Sequence, residues 1–278
     1  MKLMRVGEKG AEKPALRDGG GVLRDLSGVV ADIAGTTLTA GGLQALAKID
    51  PAGLPAIAGN LRIGAPIGAI GKVVGVGLNY FDYAEAAGVP VPEEPVMFLK
   101  PNSTIAGPND AVKKPKTARK LDWEVEIGIV IGREGVNIAE ADAMDHIAGW
   151  VLANDYTERW MQQERGGTWD KGKCGDGFTP LGPWLVTKDE LDAEALAMWA
   201  AVNGTRYQDS STAKMIRKPA FLVSYLSEFM TLYPGDVIVT GSPAGVGALQ
   251  KPPLFLNAGD VVTLGIEGLG EQRQAVIA

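Results

Sequence analysis

The stretch Asp122-Trp123-Glu124-Val125-Glu126-Ile127-Gly128-Ile129-Val130 constrains this chain more than any other. Apolar residues at Trp123, Val125, Ile127 and Ile129 recur with a period of two, which predicts a β-strand with one apolar face. The same alternation places Glu124 and Glu126 together on the other face, about 7 Å apart along the strand. Two carboxylates so close repel and raise each other's pKa. Water on a solvated strand face relieves that repulsion, and so does a bound cation; the spacing alone leaves both open.

A third carboxylate, Asp155, ends the run Gly149-Trp150-Val151-Leu152-Ala153-Asn154-Asp155, where a neighbouring strand could deliver it. Three carboxylates without His or Cys form a hard-oxygen set suited to Mg²⁺, Mn²⁺ or Ca²⁺ rather than zinc. Three protein ligands would leave positions for water and a bidentate substrate.

Further strands are expected at Val73 to Val76, Val96 to Leu99, Val125 to Ile131, Trp150 to Ala153, Trp184 to Thr187, Val237 to Thr240 and Val261 to Ile266. Tyr233-Pro234-Gly235-Asp236 and Asn257-Ala258-Gly259-Asp260 are turn sequences that each launch a strand. Helical pieces are fewer: Glu140 to His146, Thr157 to Glu164, Glu190 to Leu196 and Pro219 to Phe229. Many unevenly spaced strands with few helices argue for a strand-rich α+β fold and against a doubly wound βαβ sheet. Residues 1–65, with broken apolar runs and one short helix over Leu43 to Ile49, read as a small N-terminal domain; residues 66–278 form the main one.

The 278 residues suit one large domain, alone or with a small one. The net charge of −6 argues against a nucleic-acid partner. The single cysteine, Cys174, excludes an internal disulfide or a cysteine zinc site and fits a reducing cytoplasm. The N-terminus lacks a signal-peptide pattern, and no apolar run approaches the roughly 20 residues that span a bilayer. A cytoplasmic protein without a membrane partner is therefore expected.

The turn-rich segment Trp169-Asp170-Lys171-Gly172-Lys173-Cys174-Gly175-Asp176-Gly177-Phe178 carries two lysines. A lysine there can neutralise a substrate carboxylate or donate to an oxyanion, or it can simply be solvated. Cys174 has only His146 as a partner for nucleophilic chemistry, and His146 is distant in sequence. Thr240 to Gly247 lacks the Gly-Lys-Ser/Thr ending of a phosphate loop, and Tyr80 stands where a dinucleotide fingerprint needs glycine. The glycines of both loops are expected to let backbone N–H groups approach an anionic substrate. Ser242 is not in a Gly-x-Ser-x-Gly elbow.

In order along the chain, Gly75 to Tyr80, Phe98-Leu99-Lys100-Pro101, Asp122 to Gly128, Asn154 to Arg159, Lys173 to Pro183 and Pro234 to Gly247 resemble the fumarylacetoacetate hydrolase family over roughly residues 70 to 270. The resemblance implies a distorted β-roll of mixed sheets after a small N-terminal domain, assembled as a homodimer. It implies that Glu124, Glu126 and Asp155 bind Mg²⁺, or Mn²⁺ in its place. It implies that Lys173 lines the active site and that Thr240 with Gly241 holds the substrate carboxylate. Arg159 and Gln162 match positions near the site, Asp176 an aspartate beside the lysine, and Tyr80 and Lys100 residues of the pocket.

One departure from the family matters. Many members carry Asn-Tyr-x-Asp-His and a glutamate three residues on, a pair that activates water. This chain has Asn79-Tyr80-Phe81-Asp82-Tyr83 and then Ala86. Tyrosine, with an unperturbed pKa near 10, is a poor general base at neutral pH. Glu85 and Asp176 are the candidate bases in its place. The activity implied is metal-dependent hydrolysis of a C–C bond in a small 2,4-dioxo acid, releasing pyruvate, with the closest likeness to members of sugar-acid pathways. Acylpyruvate hydrolysis, dehydration of a 2-keto-3-deoxy sugar acid, decarboxylation of oxaloacetate, and non-catalytic 2-oxo acid binding are the alternatives.

Overall fold

A computed structural model describes residues 1–278. The strands are β1 (Lys2–Val6), β2 (Lys13–Arg17), β3 (Leu23–Asp25), β4 (Val73–Gly77), β5 (Val96–Lys100), β6 (Ile105–Ala106), β7 (Val112–Lys113), β8 (Leu121–Asp122) and β9 (Val125–Ile131). They continue as β10 (Ile147–Asn154), β11 (Thr157–Glu158), β12 (Thr179–Thr187), β13 (Ala197–Val202), β14 (Thr205–Ser211), β15 (Val237–Val239), β16 (Val261–Ile266) and β17 (Gly270–Ile277). The helices are α1 (Ala40–Ala47), α2 (Phe81–Ala87), α3 (Arg159–Glu164), α4 (Asp170–Lys173) and α5 (Pro219–Phe229).

One ten-stranded sheet runs β3-β2-β1-β12-β10-β9-β15-β4-β5, with β6 attached to β12. A five-stranded sheet runs β14-β13-β16-β17-β7, and β8 pairs with β11. Most ladders are antiparallel, but β15–β4, β12–β6 and β17–β7 are parallel, so the sheets are mixed. The fold is thus the expected strand-rich α+β architecture.

Both faces of β9 are covered, and every residue from Leu121 to Ile131 is buried. Its odd-numbered residues, Val125 to Ile131, join a core shared with Met198, Leu264 and Ile266 of the five-stranded sheet. On the even face, Val130 enters a second core with Leu3, Leu16, Leu38 and Leu46. The N-terminal segment therefore covers one end of the face whose other end carries Glu124 and Glu126. On β10, Val151 and Ala153 share this second core, and the alternation continues to Asp155. Residues 1–65 do not stand apart as a layer: β1 pairs antiparallel with β12, Lys2 opposite Val186, and extends the main sheet.

Several segments differ from expectation. Glu190 to Leu196 forms no helix. Its backbone is taken up by tertiary partners: Leu191 C=O accepts from Trp150 Nε1 at 3.1 Å, Ala193 C=O from Thr212 Oγ1 at 2.7 Å, and Leu196 N–H donates to Thr212 Oγ1 at 2.8 Å. Thr157 to Glu164 begins as strand and becomes helix only at Arg159. Glu140 to His146 is a 3₁₀ helix. The β13–β14 hairpin and β17 are strands beyond those expected. No helix is long and apolar enough to cross a membrane.

Candidate metal centre and active-site cleft

The antiparallel register of β9 and β10 sets Ala153 opposite Glu126 and Asn154 opposite Val125. One residue further, Asp155 donates its backbone N–H to the Glu124 carbonyl at 2.9 Å. Asn154 locks this corner, with Oδ1 accepting from Glu124 N–H at 3.0 Å and Nδ2 donating to Gln274 at 3.1 Å. Glu124, Glu126 and Asp155 can then each turn a carboxylate oxygen to within 4.8 Å of the others. Their exposures are 5%, 1% and 0%, so the solvated-face reading of Glu124 and Glu126 is excluded.

Buried carboxylates need partners. Glu124 Oε1 accepts from Arg159 Nη2 at 2.6 Å, and its Oε2 from Lys173 Nζ at 2.6 Å and Thr157 Oγ1 at 3.2 Å. Burial alone would raise its pKa, but the Arg159 and Lys173 cations hold it at about 2. Asp155 accepts from Lys173 at 2.5 Å and, through its other oxygen, from Lys100. Burial works against the Lys173 ammonium, yet Asp155 and Glu124 push its pKa up to about 12. Lys100 goes the other way: burial and the neighbouring Lys173 charge lower its pKa despite Asp155.

Glu126 is treated differently. One backbone hydrogen bond, from Gly241 N–H at 2.8 Å, meets its carboxylate, and no cation is paired with it. Burial, then the Asp155 and Glu124 charges, push its carboxyl well above the usual range. Counting Asp122, four buried carboxylates face three buried cations, Arg159, Lys173 and Lys100. The shortfall falls on Glu126, beside two other carboxylates that supply only oxygen. These residues fit a divalent hard cation, which would supply the missing positive charge.

A narrow cleft, with a cavity volume of about 20 Å³, opens over the triad. Val76, Leu78, Phe98, Trp169 and Tyr83 form its apolar wall, facing Arg159, Lys173, Gly241 and Ser242. Gly75 and Gly77 make this wall possible. A Cβ on Gly75 would lie 2.1 Å from the Phe98 ring, and one on Gly77 would lie 2.2 Å from the Trp169 ring. A larger open depression, with a cavity volume of about 530 Å³, on the N-terminal segment has no comparable carboxylate cluster among its lining residues.

Residues 72–277 match the model of the fumarylacetoacetate (FAA) hydrolase C-terminal domain. The chain belongs to the fumarylacetoacetate hydrolase family. A Burkholderia cenocepacia protein, provisionally named a hydrolase, is 54% identical over 99% of this chain and 98% of its own length. The fumarylacetoacetate hydrolase of Exiguobacterium antarcticum superposes with a TM-score of 0.89 at 33% identity, covering 100% of this chain and 99% of that one. The 5-carboxymethyl-2-hydroxymuconate delta-isomerase of Mycobacterium smegmatis superposes at 0.78 with 33% identity, covering 100% and 98%. Both hydrolases and isomerases thus share this fold.

Placed in the family fold, the expected site residues fall into three groups. Glu124, Glu126, Asp155, Arg159, Lys173 and Gly241 line the cleft, and Lys100 supports Asp155 from behind. Tyr80, Gln162 and Thr240 lie beneath it. The Tyr80 hydroxyl meets Met198 Sδ at 3.4 Å, Gln162 accepts from Arg159 at 3.4 Å, and Thr240 donates to Ile127 C=O at 2.9 Å. Thr240 therefore has its hydroxyl proton committed within the protein, and the Gly241 N–H serves Glu126. Glu85 and Asp176 are exposed and line no part of the cleft, because Glu85 sits on the outer side of α2 and Asp176 on the turn after α4. Gly75 and Gly77 admit aromatic rings rather than an anion, which corrects the expectation for that loop. Cys174 stands outside the cleft lining, and His146 bonds the Arg133 carbonyl at 3.0 Å.

Asp122, Phe98, Trp169 and Ser242 are site residues that no sequence motif marks as such. Asp122 is fully buried and accepts from Arg159 Nε at 2.8 Å and from Gly247 and Ala248 N–H at 2.6 and 3.0 Å. It thereby aims the guanidinium at Glu124. Its place two residues before Glu124 was the available signal, since equal parity puts both on one strand face.

Proposed function

We propose that this family member is a divalent-metal-dependent hydrolase that cleaves a C–C bond of a 2,4-dioxo acid, with 2,4-diketo-3-deoxy-L-rhamnonate as substrate and pyruvate and L-lactate as products. The observation that carries the reading is the buried Glu124–Glu126–Asp155 triad, in which Glu126 has no cationic partner. The choice of a sugar-acid substrate from the L-rhamnose pathway rests on the likeness of Gly88 to Pro95, Gly166 to Lys173 and Gly268 to Gln274 to such members.

Glu124, Glu126 and Asp155 would hold Mg²⁺ or Mn²⁺. Bound there, the cation supplies Lewis-acid polarisation of the substrate carboxylate and 2-oxo group. Arg159 and Lys173 keep Glu124 ionised and fixed in place before substrate arrives. Lys173 stays protonated at neutral pH and so offers charge to an anionic substrate rather than acting as a base. Phe98 and Trp169 shield the reacting carbons from bulk water, which strengthens every charge interaction in the cleft.

One observation favours a second reading. With Glu85 and Asp176 outside the cleft, no carboxylate beyond the triad stands ready to activate water. Dehydration of a 2-keto-3-deoxy sugar acid and decarboxylation of oxaloacetate pass through the same kind of enolate without an attacking water. Product analysis separates them. Metal-dependent pyruvate plus lactate supports hydrolysis, and a dehydrated acid or CO₂ supports the second reading. Binding of pyruvate without turnover of any of these acids would leave a 2-oxo acid binding protein.

A further inference from the structure

The donors around the cleft are almost all committed inside the protein. Lys173 serves Glu124 and Asp155, and Arg159 serves Asp122 and Glu124. Ser242 Oγ donates to Val125 C=O at 3.0 Å and accepts from Gln208 Nε2 at 2.8 Å. Two side-chain donors of the cleft lining are free: neither the Trp169 indole N–H nor the Tyr83 hydroxyl makes a hydrogen bond within the protein, and of the two only the hydroxyl sits where the family carries its water-activating histidine.

Its place is held firmly. In the first turn of α2, Asp82 accepts from Ser210 Oγ at 2.6 Å, Lys214 Nζ at 3.2 Å and Ala244 N–H at 3.3 Å. These bonds tie the helix to β14, the turn after it and the loop after β15. The Tyr83 ring also packs against the larger core. Burial raises the phenol pKa, with the Arg159 charge only partly opposing, so the hydroxyl keeps its proton at neutral pH.

We propose that Tyr83 is a catalytic residue that donates a hydrogen bond to the far oxygen of the substrate, two carbons beyond the 2-oxo group, where negative charge grows as water adds to that carbonyl and from which it passes to the pyruvate enolate when the C–C bond breaks. This rests on the 2,4-dioxo acid reading of the cleft. The phenol replaces a water-activating base with an oxyanion donor, and a donor left unpaired by substrates lacking that oxygen disfavours them.

Tyr83→Phe removes only the hydroxyl and keeps the packed ring. The test pairs turnover of 2,4-diketo-3-deoxy-L-rhamnonate with calorimetric binding of oxalate, both in Mg²⁺; oxalate offers the chelating end but no far oxygen. The expected result is a kcat about 10²- to 10³-fold lower with unchanged oxalate affinity. Wild-type kcat in the variant, or oxalate affinity lost in the same proportion as kcat, would overturn the role of Tyr83. Wild-type protein that binds no oxalate, or binds it without cleaving the dioxo acid, would overturn the reading of the cleft and this assignment with it.

Discussion

Lys173 holds its ammonium 2.5 Å from the Asp155 carboxylate and 2.6 Å from Glu124, so a cation already bridges two of the three triad carboxylates. The lysine both preorganises these ligands and opposes a divalent ion for their charge. Lys173→Met should therefore bind Mg²⁺ more tightly, by about tenfold if roughly 1.4 kcal/mol of repulsion is relieved, while losing most turnover. Calorimetric Mg²⁺ titration beside steady-state kinetics checks both. Full turnover in the variant would remove Lys173 from the chemistry.

The apolar wall depends on Gly77. Gly77→Val would drive side-chain atoms into the space of the Trp169 ring, which already lies 2.2 Å from an added Cβ. Overpacking of this kind costs about 1–3 kcal/mol. The expected outcome is a lowered melting temperature together with a raised KM, since the displaced indole opens or fills the cleft. Thermal melts and kinetics with an unchanged wall would contradict this role for Gly77.

The N-terminal segment is also tied to the main domain by charge. Arg62 meets Asp110 at 2.6 Å and Glu12 at 2.8 Å. Burial acts to raise both carboxyl pKa values, but the Arg62 hydrogen bonds, together with backbone N–H bonds and neighbouring cations, outweigh it, and Asp110 and Glu12 fall below their ordinary values of 3.8 and 4.5. A carboxyl lowered on folding stabilises the protein above its unfolded-state pKa, and that stability is lost as pH falls through the folded value. Arg62→Gln should thus be less stable than wild type at neutral pH, with the gap closing below about pH 4. These groups are partly exposed, so added salt should also narrow the gap. Denaturant unfolding across pH measures it; a gap that widens in acid would refute the ion-pair explanation.

How far the sequence carried depended on where each decision is made. Strand β9 was legible to the residue because its period of two is unbroken from Trp123 to Ile129. The triad followed, since Glu124 and Glu126 share parity and Asp155 ends the neighbouring apolar run. Glu190 to Leu196 failed because Trp150 and Thr212, remote in sequence, take its backbone hydrogen bonds. Glu85 and Asp176 looked close to the site along the chain, but helix phase and turn geometry send them to solvent. The glycines of Gly75 to Gly77 spoke of close approach without saying what approaches, and only packing identifies the Phe98 and Trp169 rings.

The most direct test of the metal centre is a calorimetric Mg²⁺ titration of wild type beside Glu126→Gln, with melting temperatures of both metal-free proteins. Glutamine keeps the shape and the Gly241 contact while removing the one triad charge that has no cation. The expected result is measurable Mg²⁺ binding by wild type, its weakening by about 10²-fold or more in the variant, and a metal-free melting temperature in the variant that is equal or higher because carboxylate repulsion is relieved. Equal Mg²⁺ affinity in the two proteins, or no binding by wild type at millimolar Mg²⁺, would contradict a metal site built on Glu124, Glu126 and Asp155.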